Sequence, residues 1–231
     1  MNADVTNAWP GPKADAWWAS LPPDLRQALQ AMALPRHLAA GQRLFARGDA
    51  PDGLYVVCRG AVRITGISQD GDEVMLALLE PPHWFGEIAL FDHEPRTHDA
   101  WAETEALLMQ IPQAPLMALL QTEPAHWPHL GRLLTRKLRE LFRGLEETAL
   151  LSASARVARR LAVMATGHGA LTGQSHRVVQ VSQEQLGLML ALTRQTVNQS
   201  LKALEAEGVL RRLRGGVEIL DLPGLSRPDR R

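Results

Sequence analysis

Cysteine is nearly absent: one residue, Cys58, in 231. A lone thiol forms no internal disulfide and supplies no Cys-rich zinc or iron–sulfur site. Long apolar runs are missing too, since charge or proline breaks each well short of the roughly 20 residues of a membrane helix. The first 20 residues carry Asp4, Asp15, Lys13, Pro10 and Pro12 and no apolar core of a secretory leader. Disorder-prone bias is lacking as well, because 45% hydrophobic and 22% charged residues are ordinary for a globular protein. No Ser/His/Asp or paired-carboxylate arrangement stands out, so an enzyme is the weakest reading. These absences predict a soluble cytoplasmic protein of one or two domains with no membrane partner.

The net charge is zero, with 25 basic and 25 acidic side chains, but it is unevenly spread. Residues 1–155 hold 13 basic and 19 acidic side chains, whereas residues 156–231 hold 12 and 6. A basic C-terminal part beside an acidic N-terminal part suits a polyanion partner for the former.

The hydrophobic period changes along the chain in the same way. A helix is predicted after Ser20 to Ala33, with Leu25, Leu29 and Met32 on one face. Short β-prone stretches follow at 42–46, 54–58, 61–67, 73–79, 88–90 and 106–111, separated by turn signals such as Pro51-Asp52-Gly53. Many short strands predict an antiparallel jelly roll. From 128 to 151, Leu134, Leu138, Leu141, Leu145 and Thr148 fall at 4-3-4-3 spacing. That is an a/d seam, so a helix that pairs with a second copy is predicted. A further helix is predicted over 155–166, a loop over 167–175 and a strand over 178–181. Strands first and helices later give an α+β fold: an N-terminal jelly roll (17–127), a long dimerisation helix (128–151) and a C-terminal, mainly helical part (152–231).

The C-terminal part has a pattern of its own. Ser182 with Gln185 three residues on is a capping-box signature. Thr193 caps a second helix that Gly208 ends. Val197, Leu201 and Leu204 share its inner face, while Arg194, Gln195, Asn198, Gln199 and Lys202 share another within about 140° of arc. Arg, Asn and Gln are the side chains that pair bidentately with guanine or adenine edges, and Lys202 is placed for phosphate. A hairpin closes the unit, with strands at 209–210 and 217–220 and a basic turn at 211–216.

Residues 181–210 resemble the winged helix-turn-helix of the Crp/Fnr transcription regulators, through Leu186-Gly187 and Thr193-Arg194-Gln195-Thr196-Val197. The resemblance implies that Arg194, Gln195 and Gln199 read bases, and Ser182 is counted with the candidate DNA-binding residues. Catabolite-activator members carry Arg, Glu and Arg at the three reading positions, so a different half-site is implied here. The interhelical turn, usually glycine in that family, is Ala191.

A second motif lies in the barrel. Phe85-Gly86-Glu87-Ile88-Ala89-Leu90, then Pro95-Arg96-Thr97, resembles the phosphate-binding cassette of cyclic-nucleotide-binding domains. Chemically, Arg96 offers a charged fork, Thr97 a hydroxyl, Gly86 a close backbone approach, and Glu87 an acceptor for a ribose hydroxyl. His98 stands where the family has a small residue. Leu141 and Phe142 replace the Thr-Ser pair that contacts the purine in cAMP-responsive activators; Phe142 can stack on a base but cannot read its edge. The resemblance therefore implies a homodimeric regulator of double-stranded DNA at a two-fold-related site, acting with RNA polymerase. Its effector would be cAMP, cGMP, cyclic di-GMP or another small anionic ligand. The alternatives are a ligand-independent regulator whose barrel is a dimerisation scaffold, and a signalling module that binds no DNA. His93 and His98 fit no standard metal spacing, so no metal is predicted. Cys58 reads as a small buried hydrophobe.

Overall fold

The structure is a computed structural model that describes residue 9 and residues 15–67, 73–165 and 178–226. It divides into two compact units, residues 1–139 and 140–231.

Among the described residues, the first helices of this unit are α1 (Ala16–Ala19) and α2 (Pro23–Met32). Asp15 caps α1 by accepting from the Trp17 amide at 2.8 Å, and Pro23 starts α2 where no amide donor is needed. Eight strands follow: β1 (Leu34–Leu38), β2 (Arg43–Phe45), β3 (Gly53–Arg59), β4 (Val62–Ile67), β5 (Glu73–Leu79), β6 (His83–Phe85), β7 (Asp99–Ala102) and β8 (Ala106–Pro112). They form two antiparallel sheets, ordered β1-β8-β3-β6 and β2-β7-β4-β5, which is the expected jelly-roll pair. Tyr55 and Val57 of β3 point into the core between the sheets with Val62, Phe85 and Leu108. Leu54 and Val56 alternate to the other face, against Trp84, Trp17, Trp18, Leu25 and Leu29. Both faces of β3 are covered, so its sequence is nearly all apolar. Each fully buried leucine there contributes about 1.5–3 kcal/mol.

The stretch 88–90, expected as a strand, is instead a short helix, α3 (Ile88–Asp92). Three apolar residues carry no period of their own, and Gly86 at φ +92° turns the chain out of β6 just before them. Among the described residues of this unit, three strands and helix α4 (Gln113–Thr122) escape sequence reading. Strand β1 contains Pro35, tolerated because β1 is a sheet edge. β6 and β7 have three and four residues, too few for a period. Helix α4 follows Pro112 and holds Pro115 in its first turn, where the missing amide costs nothing.

A 3₁₀ turn (Pro124–His126) leads into α5 (Trp127–Leu150), close to the predicted 128–151. The division between the units falls inside α5, after Arg139. In the second unit, α6 (Ala153–Ala165), α7 (Gln183–Leu190) and α8 (Arg194–Ala206) surround a core of Val157, Leu161, Leu186, Val197, Leu201 and Leu204. The predicted loop at 167–175 lies outside the described residues. A three-stranded sheet, β10-β11-β9, completes the unit with β9 (Val178–Val179), β10 (Leu210–Leu213) and β11 (Gly216–Ile219), before α9 (Leu222–Leu225). The turn expected over 211–216 is shorter, since Arg211 pairs with Glu218 and Arg212 with Val217. Gly215 at φ +81° makes the tight reversal possible.

Candidate functional site

The cassette of the first unit surrounds Arg96. Its guanidinium is buried, and Nη2 donates to Asp52 Oδ1 at 2.6 Å and to the Gly53 carbonyl at 2.8 Å. Nη1 donates to the Gly86 carbonyl at 3.3 Å, and the plane lies 4.4 Å from the Phe45 ring centroid. A side chain at Gly86 would press on this fork, because an added Cβ would lie 2.8 Å from Arg96 Nη1 and from the Gly53 carbonyl. A further donor, Nε, is buried and has no hydrogen-bond partner among the described residues. A buried unpaired guanidinium N–H is costly, and an acceptor oxygen, of a water or of a ligand, would satisfy it.

Asp52 is itself well held. The Tyr55 hydroxyl donates to it, Gln110 Nε2 donates at 3.0 Å, and Arg36 Nε fixes the Gln110 oxygen at 2.7 Å. Burial, with the Asp52 carboxylate adding to it, pushes the Tyr55 hydroxyl well above its usual range, so it stays a donor. Thr97 is exposed, and its Oγ1 lies 2.9 Å from His98 Nδ1. The His98 ring therefore sits on the hydroxyl that a phosphate would use. Burial, then the Arg47 cation, hold the His98 pKa below the ordinary value against the pull of Asp99.

Glu87 is buried, and its carboxylate accepts from Lys137 Nζ of α5 at 2.8 Å. The structure thus brings Gly86 and Arg96 into contact, with Glu87 next in sequence but turned to α5. Phe142 belongs to the second unit and is 62% exposed. Asp52, Tyr55, Gln110 and Lys137 were missed by sequence reasoning. A turn motif hides Asp52, and spacing alone gives no sign that Lys137 reaches Glu87. Cys58 is half-buried, and burial pushes its thiol up to about 12. Asp24, Glu123 and His126 offer ligand atoms within 4.8 Å of one another, but Glu123 already meets His126 Nε2 at 3.0 Å.

The second unit carries the other candidate site. Ser182 caps α7: its Oγ accepts from the Gln185 amide at 3.0 Å, and its amide donates to Gln185 Oε1 at 2.9 Å. Thr193 Oγ1 likewise accepts from the Thr196 amide at 3.1 Å and starts α8. Between the two helices Ala191 adopts φ 50° and ψ 48°, the left-handed conformation that glycine prefers. A Cβ on Gly187 would lie 2.7 Å from the Leu192 carbonyl, so the helices approach closely only because that residue is glycine. Arg194, Gln195, Gln199 and Lys202 are exposed along α8. Asn198 is half-buried, and its Oδ1 accepts from Arg212 Nη1 of the wing at 3.3 Å.

Comparison with known proteins identifies the two domains that carry these residues. Residues 35–123 match the family described as a cyclic nucleotide-binding domain, and residues 155–227 the Crp-like helix-turn-helix domain. A CRP-like cAMP-activated global transcriptional regulator of Mycobacterium tuberculosis is 31% identical over 204 residues, 88% of this chain and 89% of that protein. A cyclic AMP receptor protein of Thermus thermophilus is 33% identical over 78% of this chain and 80% of its own. The crystal structure of a CRP/FNR-family transcriptional regulator from Thermus thermophilus is similar, with a TM-score of 0.67 at 27% identity, over 83% of this chain and 96% of that one. The cyclic di-GMP-responsive regulator CLP of Xanthomonas campestris shares the fold, with a TM-score of 0.69 at 24% identity over 84% of this chain and 96% of that one.

Proposed function

The chain belongs to the Crp/Fnr family of transcription regulators, with a cyclic-nucleotide-binding domain and a DNA-binding helix-turn-helix, and from that premise we propose that it is a homodimer gated by a cyclic nucleotide. The observation that carries the ligand is the orphaned Nε of Arg96, a buried donor beside the Gly86 approach. A cyclic phosphate would take that donor and the Thr97 hydroxyl once the His98 ring moves aside. A cyclic mononucleotide such as cAMP or cGMP fits this phosphate end. Cyclic di-GMP, which also presents phosphodiester oxygens to a guanidinium, is the second candidate.

Glu87 and Lys137 supply the coupling. A ribose hydroxyl that competes for the Glu87 carboxylate loosens its ion pair to α5, so ligand binding biases the helix that carries the dimer seam. Leu138, Leu141, Phe142 and Leu145 are exposed along that helix, and a second copy would cover them. Two recognition helices about 34 Å apart could then enter successive major grooves of a two-fold site. A promoter-bound dimer of this kind would have RNA polymerase as its further partner.

A second reading has its own support. Both charges of the cassette are already neutralised internally, Arg96 by Asp52 and Glu87 by Lys137. This favours a ligand-independent regulator whose barrel is a scaffold. Fluorescence anisotropy of a labelled duplex, isolated by selection with the full-length chain, separates the two. Ligand gating predicts that cAMP, cGMP or cyclic di-GMP changes the affinity; an affinity indifferent to all three supports the scaffold. Arg194→Ala is expected to weaken specific binding by about 1–3 kcal/mol and to relax one base position.

A further inference from the structure

Arg212 lies on β10 and reaches across to α8. Its main-chain N–H donates to Glu205 Oε1 at 2.8 Å, and its Nε donates to Glu205 Oε2 at 2.6 Å. These two contacts hold the Glu205 carboxyl below the usual range, the backbone donor first and the guanidinium second, so it stays an anion. Glu205 stands seven residues after Asn198, two helical turns along the same face. The clamped guanidinium therefore lies along α8 with its far end, Nη1, on Asn198 Oδ1.

Arginine has donors and no acceptor, so the Asn198 atom that meets it must be the amide oxygen. That fixes an orientation an isolated asparagine would leave open. The oxygen faces the wing, and the amide NH₂ is left for whatever meets α8. An asparagine recognises adenine with both ends of its amide, the oxygen taking N6–H and the nitrogen giving to N7. With the oxygen turned to the wing, the amide cannot lay both ends along one base edge even though a lone pair is left over, and its donors suit an edge that presents acceptors alone. Guanine offers two such acceptors, O6 and N7.

We propose that Arg212 is a specificity-determining positioning residue, which turns Asn198 from an adenine reader into a guanine reader through its clamp on Glu205. The inference rests on the DNA-reading role of α8 proposed above and adds the base that one position selects. It also gives the wing a role in base choice without contact to a base. Arg212 lines an open cleft of about 250 Å³ with Arg194 and Gly216, so its side chain can be shortened without opening the core.

The test is selection from randomised duplexes by the full-length chain, with cAMP in one arm and none in the other. Asn198→Ala identifies the base position that Asn198 reads, as the one where preference disappears. At that position the wild type selects guanine. Arg212→Met lowers the guanine-to-adenine ratio there by about tenfold, within the range of one bidentate contact, and leaves the other positions unchanged. Glu205→Ala, which frees the guanidinium without removing it, moves the ratio the same way. Thermal unfolding of each variant shows that it is folded. A guanine preference that persists in both folded variants overturns the proposal, as does a uniform loss of affinity with no change in base choice. A wild-type chain that selects no sequence overturns the DNA-reading role itself.

Discussion

Asp52 Oδ1 lies 2.6 Å from Arg96 Nη2, so the buried guanidinium of the cassette carries its own carboxylate partner. The Asp52 side chain is half-exposed while that of Arg96 is 4% exposed, so the anion sits at the rim and the cation beneath it. A ligand phosphate meets a cation whose charge is already partly balanced.

Asp52→Asn keeps the Oδ1 acceptor for Arg96 and removes the charge, while its amide nitrogen replaces the Oδ2 that accepts from Tyr55 and Gln110. Affinity for an anionic cyclic nucleotide is expected to rise by about 1 kcal/mol, a value discounted for the exposure of the carboxylate. Competitive displacement of a fluorescent cAMP analogue measures it, and an unchanged affinity would show that the pair does not oppose ligand binding. Arg96→Ala is a less clean control. It strips donors from Asp52 and from the Gly53 and Gly86 carbonyls, so urea unfolding is expected to show a loss of about 1–3 kcal/mol besides any loss of binding.

Lys137→Ala leaves the buried Glu87 carboxylate without its ammonium partner. Stability should fall by about 3 kcal/mol, the lower end for a broken buried pair, since Lys137 is itself partly exposed. A Lys137→Ala, Glu87→Gln double variant should regain much of that loss. Denaturant midpoints of the single and double variants check both statements, and additive losses would sink the pairing.

Ala191 pays a conformational penalty at φ 50° that glycine would avoid. Ala191→Gly is expected to stabilise the chain by about 0.5–1 kcal/mol, net of the extra freedom glycine gains on unfolding. A lower thermal midpoint in the variant would contradict the left-handed turn.

Leu141→Glu places a charge in the centre of the exposed seam of α5, between Leu138 and Leu145. Sedimentation should show a dimer for the wild type and a monomer for the variant, with the circular dichroism spectrum unchanged. A dimeric variant would remove the seam from the interface.

Much of this arrangement is legible in the sequence, and the exceptions have physical causes. Helix α5 and the two helix caps at Ser182 and Thr193 follow from local patterns, and the structure has them where the spacing puts them. Strand β1 was hidden by Pro35, and α3 was mistaken for a strand because three apolar residues carry no period. The partners of the site residues were not legible at all. Asp52 meets Arg96 across 44 residues and Lys137 meets Glu87 across 50, distances over which sequence patterns carry no signal. Such pairs arise only when the topology folds one element onto another. Arg212 is the same case at shorter range, since it was expected in a basic turn and lies instead in β10 against α8.

The most direct measurement is a calorimetric titration of the full-length wild type and Asp52→Asn with cAMP, cGMP and cyclic di-GMP at several temperatures. The account predicts saturable binding of one of them at one site per chain, tighter in Asp52→Asn. Absence of heat for all three, at every temperature and in both proteins, would contradict ligand gating and leave the barrel as a scaffold.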